Sequence, residues 1–368
     1  MHQQTPLHEA TTAAGATFAE QGGWLLPAHY GNWLAEYEHS CREVAIFDVS
    51  NRARVAVTGP DAGKFLHNLC TNDVLKLASG DGCEAFLTTG QAKIVAYVLI
   101  SRTTVPGGSE IYFLDPGPDM GEKVVRHLDR FIISEQVELA ERTLEFARVH
   151  LAGPGARAVL ESTLAGLVPE LPENHHYFAD IAGASSQVRR DSSLGQPGYE
   201  VVVPQDKAQA VWQALSTAGA NRAGSLAYET LRVEAGTPVY GRDIDETNLP
   251  QEVARVERTI SFTKGCYIGQ ETVARIRAYG HVNRSLVGLR LSIPSAVPAG
   301  AKISRDDKEI GQATSSVVSP RMGAGIALAY VRRGNQEPGT ALEVETDGGR
   351  CRAEVASLPF AGSVAPIP

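Results

Sequence analysis

The sequence predicts an α+β fold that ends in a small β-barrel, and two observations lead to this prediction. Segments with helical periodicity and segments with strand periodicity are interspersed up to about residue 280. After Gly280, short runs rich in β-branched residues follow one another, separated by turns that contain Pro, Gly, Asn or Asp. Evenly spaced short strands of this kind are typical of a small barrel or sandwich. The length of 368 residues agrees with two or three structural units of about 150 residues each.

The elements of the body follow from the spacing of apolar residues. This spacing predicts helices over 32–42, 62–70, 120–131, 156–160, 207–217, 225–235 and from residue 270 onward. It predicts strands over 44–49, 54–57, 86–88, 93–101, 111–114, 143–151, 187–190 and 199–203. We expect Asp61 to cap the second of these helices and Gly236 to follow the end of the sixth.

The carboxyl-terminal part contains strand patterns only. They cover 284–291, 302–304, 309–318, 326–331, 341–345 and 352–356. The sequence therefore divides into an extension over 1–30 that is poorly ordered at its start, a two-lobed body over 31–283 and a barrel over 284–368.

Composition excludes several classes of protein. With 43% hydrophobic and 21% charged residues, the chain is neither disordered nor a coiled coil. The net charge of −8 argues against a dedicated binder of duplex nucleic acid, which would present a basic face. The five cysteines include no C-x-x-C pair, which is typical of reduced thiols in the cytoplasm. With no secretory signal and no membrane-length apolar run, we expect a soluble, cytoplasmic protein without a membrane partner.

The densest motif is Lys-Gly-Cys-Tyr-Ile-Gly-Gln-Glu at 264–271. Cys266 lies just before a predicted helix start, where the helix dipole, Lys264 and Arg275 would all lower the pKa of the thiol. The flanking glycines would let the backbone turn sharply and approach a ligand. We predict that Cys266 is reactive and that Lys264 supports it. The alternative is a buried structural cysteine in a tight turn.

Two other segments carry charged residues beside turns. Glu200 follows a Gly-rich turn, and its carboxylate could accept two parallel hydrogen bonds from an amino-pyrimidinone ring. Arg232 lies near a helix end and could hold a ligand carboxylate in a bidentate pair. Spacing alone favours ordinary surface charges at both positions. No metal-ligand spacing is present, and no metal site is predicted.

Taken together, these segments resemble the folate-binding aminomethyltransferase (glycine-cleavage T-protein) superfamily and, within it, the YgfZ branch. The resemblance extends over about 30–360 and includes Ala-Ile-Phe-Asp-Val-Ser at 45–50, Leu-Cys-Thr-Asn-Asp-Val at 69–74, and the segments 195–200 and 231–241. The motif at 264–271 is similar to the K-G-C-Y-x-G-Q-E signature of that branch. The resemblance implies a three-lobed body with a central channel for tetrahydrofolate.

The resemblance also implies site residues. Glu200, preceded by Tyr199, would hold the pterin, while Arg232 would lie near the folate tail and Tyr240 would form a wall of the channel. Tyr97 stands near the position at which aminomethyltransferases carry an acidic residue. A phenol cannot replace a carboxylate beside a cationic amine, so we expect no aminomethyl transfer from a lipoyl carrier.

The resemblance implies a tetrahydrofolate-binding accessory protein for the assembly or repair of iron–sulfur clusters. Cys266 would be its reactive group, its partners would be iron–sulfur proteins or cluster-assembly factors, and any effect on tRNA modification would be indirect. The alternative is a folate-dependent aminomethyl- or methyltransferase. A third hypothesis is a non-catalytic scaffold in which the cysteine is structural.

Overall fold

The computed structural model describes residues 2–105, 107–164 and 166–360, apart from the side chain of Tyr279. Within these residues the chain forms three β-sheets and a closed six-stranded barrel. The predicted fold class, α+β with a small carboxyl-terminal barrel, is confirmed. None of the helices in the described ranges is both long enough and apolar enough to cross a membrane.

The amino-terminal segment, which the sequence analysis assigns to an extension over 1–30, contains regular elements from Gln3 onward. It forms β1 (Gln3–Gln4), α1 (His8–Ala13), β2 (Thr17–Gln21) and β3 (Trp24–His29), with the strands in the order β1-β3-β2. Two side chains anchor it. Leu7 is fully buried in the main core, and the Trp24 indole donates a hydrogen bond of 3.1 Å to Asp119.

The body contains the next eight helices and eleven strands of the described chain. In chain order they are α2 (Trp33–Arg42), β4 (Ala45–Asp48), β5 (Val55–Thr58), α3 (Ala62–Leu69), β6 (Gly82–Thr88), β7 (Ile94–Thr104), β8 (Glu110–Pro116), α4 (Gly121–Asp129), β9 (Glu138–Glu141), β10 (Phe146–Ala152), α5 (Ala156–Leu164), β11 (His176–Ile181), β12 (Ala184–Arg190), β13 (Gly198–Pro204), α6 (Ala208–Thr217), β14 (Asn221–Arg222), α7 (Ser225–Glu234), α8 (Val256–Thr259) and α9 (Gln270–Tyr279). Short 3₁₀ turns occur at Val74–Lys76, Thr143–Glu145, Gln205–Lys207 and Pro250–Glu252.

Two sheets organise the body. One has six strands in the order β11-β12-β13-β10-β4-β14, and the other has five in the order β6-β7-β8-β5-β9. Helices α5 and α6 cover one face of the six-stranded sheet, while α2 and α7 cover part of the other face. Helices α3 and α4 bury the apolar face of the five-stranded sheet. A face of the five-stranded sheet and part of a face of the six-stranded sheet therefore remain uncovered by these helices, and both border a shared cavity.

The carboxyl-terminal barrel consists of β15 (Arg284–Leu291), β16 (Lys302–Arg305), β17 (Lys308–Ser319), β18 (Ala324–Arg332), β19 (Ala341–Thr346) and β20 (Gly349–Ala356). Its strands close in the order β15-β18-β17-β16-β19-β20 around their own apolar core. The six strands predicted in this region correspond to these six, with ends that differ by up to three residues.

Local differences from the sequence prediction have local causes. The Asp61 carboxylate accepts a hydrogen bond of 2.8 Å from the Gln136 amide and makes no cap bond to α3. Gly236 adopts a φ of +67° directly after the end of α7, as predicted for a glycine that ends a helix. The strands β9, β11 and β14 are missing from the prediction because they are short or interrupted by polar residues.

A buried ion pair joins the barrel to the body. Arg232 of α7 donates to Asp243 at 2.8 Å and to the Ser315 hydroxyl of β17 at 2.7 Å. Asp243 also accepts hydrogen bonds from the hydroxyls of Thr314 and Ser315 at 2.6 and 2.7 Å. A β-bulge at this point of β17 turns two consecutive side chains toward the same carboxylate. The contact therefore fixes how the barrel sits on α7.

Replacing Asp243 by alanine is expected to lower the free energy of unfolding by about 3–5 kcal/mol. The substitution removes the more deeply buried of the two counter-charges of Arg232, which keeps only the partly exposed Glu229, and it leaves the hydroxyls of Thr314 and Ser315 without their acceptor. Urea unfolding of the full chain measures this change. The control is Glu343→Ala, which removes an exposed ion pair with Arg350 in the same barrel and should change the free energy by less than about 1 kcal/mol. Equal effects of the two substitutions would contradict the proposed role of the buried pair.

Candidate functional site

A cavity of about 490 Å³ lies where the two body sheets, α7 and the β2–β3 hairpin meet. This volume falls within the range of about 300–1,000 Å³ that is usual for sites of small organic ligands. Apolar side chains form part of its wall: Leu26, Pro27, Phe47, Val98, Leu99, Pro116, Pro118 and Val239.

The rest of the wall is strongly charged. The arginines that line it are Arg52, Arg148, Arg189, Arg232, Arg242 and Arg258. The carboxylates that line it are Asp48, Glu84, Asp115, Asp119, Glu173, Asp191 and Glu229. A cavity of this composition suits a ligand that is partly aromatic and carries both hydrogen-bond donors and negative charge.

Glu200 lies beneath the cavity and does not line it. Strand register places Arg189 opposite Glu200 and Glu200 opposite His150, so the three side chains form a row across β12, β13 and β10. The Glu200 carboxylate accepts hydrogen bonds of 2.6 Å from both Arg52 and Arg148. Arg189 completes the set at 3.1 Å. Three guanidiniums therefore occupy the carboxylate that the sequence assigns to a pterin.

The electrostatics of Glu200 follow from this arrangement. Burial alone would raise its pKa, but Arg148, Arg189 and Arg52 outweigh burial and lower the pKa from its ordinary 4.5 to about 2. The carboxylate therefore stabilises the fold above pH 4.5, and this contribution is lost as the pH falls toward 2. His150 and Asp191 lie close enough to Glu200 to suggest a metal site, but guanidiniums already contact both carboxylates.

Asp115 extends this network of ion pairs to the five-stranded sheet. It belongs to β8 of the five-stranded sheet and pairs with Arg189 at 2.7 Å and with Arg148 at 3.1 Å, both from the six-stranded sheet. Arg54 lies 3.5 Å away and stacks on the Phe113 ring at 3.9 Å. Burial and the neighbouring guanidiniums lower the pKa of Arg54 to about 10.

The other predicted ligand residues are distributed differently. Tyr199 packs in the apolar core, because consecutive residues of a strand point to opposite faces and Glu200 takes the cavity side. Arg232 touches the cavity, but its donors bind Glu229, Asp243, the Thr237 carbonyl and Ser315. Of this set, Tyr240 lines the cavity as the resemblance implies, and its hydroxyl accepts a hydrogen bond of 3.0 Å from Lys123.

Tyr97 also lines the cavity, and a carboxylate lies beside it. The Tyr97 hydroxyl donates to Glu84 of the neighbouring strand, and Arg258 pairs with the other oxygen of the same carboxylate. Burial, followed by the charge of Glu84, raises the pKa of the Tyr97 phenol, so the phenol stays protonated and donates. Position 97 therefore provides a hydrogen-bond donor to a carboxylate on the neighbouring strand.

Lys264 is a structural residue in its contacts. It is buried, and its ammonium donates to the carbonyls of His67, Cys70 and Asn72, the latter two at 2.7 and 2.8 Å. These carbonyls lie at the end of α3, where the helix dipole favours a positive charge. All three donors of the ammonium are used there, so the support of Cys266 predicted for Lys264 would come from its positive charge and not from a hydrogen bond.

Cys266 is the exposed member of the five cysteines, all of which lie in the described ranges. Burial raises the pKa of Cys41, Cys70, Cys83 and Cys351. No described residue after Arg258 lines the cavity, so Cys266 lies outside it. Gly269, the residue directly before α9, has a φ of +85°. It lies so close to the Thr89 carbonyl oxygen that a Cβ at this position would be 2.7 Å from that atom.

The sequence analysis missed the residues that shape the cavity most, above all Arg148, Arg189, Asp115 and Glu84. A signal for them exists. Arg148 and His150 occupy alternate positions of a strand whose other residues are apolar. This pattern indicates that one face of the strand is polar and does not pack in the apolar core. Charged residues inside buried strands require partners, but the pattern does not name them.

Comparison with known proteins gives a consistent result. A family model described as the GCVT N-terminal domain matches residues 7–264, and one described as the glycine cleavage T-protein C-terminal barrel domain matches residues 284–361. An aminomethyltransferase of Herpetosiphon aurantiacus is 30% identical over 97% of this chain and 98% of its own length. A probable aminomethyltransferase of Natronomonas pharaonis is 32% identical over 96% of this chain and 98% of its own.

A solved structure shows the same relation in three dimensions. The glycine cleavage system aminomethyltransferase T from Bartonella henselae superposes with a TM-score of 0.89, at 25% identity and over 99% of both chains. The relatives carry the name of the alternative function that the sequence left open, and they do not distinguish the YgfZ branch. On the two family models and these full-length similarities, the chain belongs to the glycine cleavage T-protein family.

Proposed function

We propose that this chain binds a reduced folate in the cavity between its two sheets and acts there as a folate-dependent one-carbon transferase of the aminomethyltransferase type. The observation that carries the proposal is the charged cavity of about 490 Å³, found in a chain whose full-length relatives are named aminomethyltransferase. The folate would supply the nitrogen atoms that carry the one-carbon unit.

The residues present fit such a ligand. A reduced folate combines a flat pterin that donates hydrogen bonds, an aromatic linker and an anionic glutamyl tail. Carboxylates and backbone carbonyls of the wall can accept from the pterin, and Phe47, Tyr228 and Tyr240 offer aromatic surface. Arg242, whose side chain is half exposed, is placed to meet an anionic tail at the mouth.

The buried network determines the shape of this site. Glu200 and Arg232 remain predicted ligand residues, and their internal contacts indicate how they act. Glu200 holds Arg52, Arg148 and Arg189 in place at the cavity floor, so these guanidiniums present fixed donors and fixed charge. Donors held in advance strengthen binding because the ligand does not have to order them.

The sequence argument against aminomethyl transfer relied on a phenol, that of Tyr97, standing near the position at which aminomethyltransferases carry an acidic residue. The cavity does contain one at this place, because the hydroxyl of Tyr97 is bonded to Glu84 and both residues line the wall. The proposal therefore follows the alternative that the sequence analysis kept open.

Tetrahydrofolate is expected to bind the protein. Leu99→Trp is expected to weaken this binding at least about tenfold, because the larger side chain would occupy part of the cavity. Isothermal titration calorimetry measures both affinities. Leu167→Trp is the matched control, since Leu167 is exposed and lies outside the cavity, and it should bind as the unaltered protein does. Equal affinities for all three proteins would place the ligand elsewhere.

Incubation with tetrahydrofolate and an aminomethyl-lipoyl carrier protein tests the transfer itself. We expect methylene-tetrahydrofolate, ammonia and the free lipoyl thiol to accumulate together, because the carbon passes to the folate while the amine and the thiol leave. Mass spectrometry of the folate pool measures the product. Tight folate binding without any product from this donor would contradict the transferase function.

A second candidate function is supported by a different observation. Cys266 is exposed on the segment 264–271, outside the cavity, and the segment resembles the YgfZ signature. An exposed thiol away from the folate suits contact with a protein partner. The second proposal is therefore an accessory role toward iron–sulfur proteins or cluster-assembly factors, with bound folate as a requirement.

Competitive alkylation near neutral pH is expected to label Cys266 at least about tenfold faster than the other four cysteines, because burial raises the pKa of those thiols and covers their sulfur atoms. Peptide mass spectrometry at early times measures each rate. Labelling of Cys70 or Cys351 at the same rate as Cys266 would remove the basis for the second proposal.

A further inference from the structure

The cavity wall formed by the five-stranded sheet carries a carboxylate that is held from two sides. Glu84 of β6 stands opposite Leu99 of β7, and Phe86 stands opposite Tyr97, so these four side chains share one face of the sheet. The Tyr97 hydroxyl donates to Oε2 of Glu84, and Arg258 pairs with Oε1. Both carboxylate oxygens are therefore fixed in position.

The groups that hold Glu84 are themselves fixed. The rings of Phe86 and Tyr97 lie 5.2 Å apart, which restricts the phenol. Asn72 donates from its side-chain amide to the carbonyls of Glu84 and Arg258, at 2.8 and 3.0 Å, and so ties β6 to α8. A carboxylate held in this way needs no rearrangement to meet a ligand.

Glu84 has fewer cationic partners than two other acids of the cavity wall, Asp115 and Glu229. Asp115 pairs with three arginines, and Glu229 pairs with Arg232 and Arg242. Among the described residues, Glu84 forms an ion pair with Arg258 alone, and Arg258 also lies 3.6 Å from Glu173. Two carboxylates thus share one cation, and this part of the wall keeps an attraction for a positive charge.

We propose that Glu84 binds the positively charged amine of the one-carbon donor in the cavity, with Tyr97 as the residue that positions it. This inference rests on the proposed transferase function. The acid that the resemblance leads one to expect at position 97 is supplied from the neighbouring strand, about 4.8 Å away. A carboxylate and a protonated amine attract each other strongly in a site that excludes water, so cationic donors are favoured over neutral ones.

The first test measures binding and needs no turnover. Methylammonium is the probe, titrated into the protein with and without tetrahydrofolate and detected by ligand-observed NMR. We expect it to bind the unaltered protein and to bind Glu84→Gln at least about tenfold more weakly. Glu110→Gln is the matched control, because it breaks an acid–arginine pair with Arg102 in the same sheet but outside the cavity, and it should bind normally.

The second test measures transfer. With the aminomethyl-lipoyl donor, Glu84→Gln is expected to reduce kcat at least about a hundredfold while tetrahydrofolate affinity changes less than about threefold. Exchanging the two residues, Glu84→Tyr together with Tyr97→Glu, returns a carboxylate to the same place from the other strand. This double variant is expected to recover kcat to within about tenfold of the unaltered protein.

The outcomes distinguish the role of Glu84 in binding an amine from the proposed transferase reaction. Methylammonium binding that is lost in Glu84→Gln supports the inference even when the lipoyl donor is not turned over, and only the proposed reaction then fails. Absence of methylammonium binding, or equal affinity in Glu84→Gln, overturns the inference, as does normal kcat in Glu84→Gln. Circular dichroism verifies folding, and if Glu84→Gln does not fold, Tyr97→Phe tests the same site, with weaker methylammonium binding expected and unchanged binding contradicting the inference.

Discussion

The carboxylate of Asp115 holds the two body sheets together, and the cavity depends on this contact. Asp115 belongs to the five-stranded sheet, while Arg148 and Arg189, which it binds at 3.1 and 2.7 Å, belong to the six-stranded sheet. These groups are almost completely buried, so each charge requires its partner. The distance between the sheets, and with it the width of the cavity, is therefore set by an ionic network and not by apolar packing alone.

The same network serves the ligand. Arg148 and Arg189 bind Glu200 on their inner side and line the cavity on their outer side. Because these two arginines both support the fold and face the cavity, a substitution of either one would affect stability and ligand binding together. This coupling explains why a binding residue assigned from sequence, Glu200, is found one layer below the cavity surface.

The structure separates two regions with different chemistry. The cavity is charged, enclosed by both sheets and suited to a small anionic ligand, while Cys266 is exposed on a segment that packs against α3 and the β6–β7 turn. We propose folate-dependent transfer for the first region and contact with a protein partner for the second. Lys264, which the sequence links to Cys266, donates to the carbonyls of Cys70 and Asn72 just beyond the end of α3.

The sequence by itself determined the order of most helices and strands, the run of short carboxyl-terminal strands and the family, because periodicity, turn residues and motifs are local properties of the chain. It also contained the rule that excludes Tyr199 from the side of Glu200, since strand residues alternate between faces. Only the tertiary structure decided which charges meet: Glu84 with Arg258, Asp115 with Arg189, and Lys264 with the carbonyls of α3. These partners are far apart in the chain. A charged residue inside a buried strand indicates that an oppositely charged or hydrogen-bonding partner is present, but the sequence does not identify that partner.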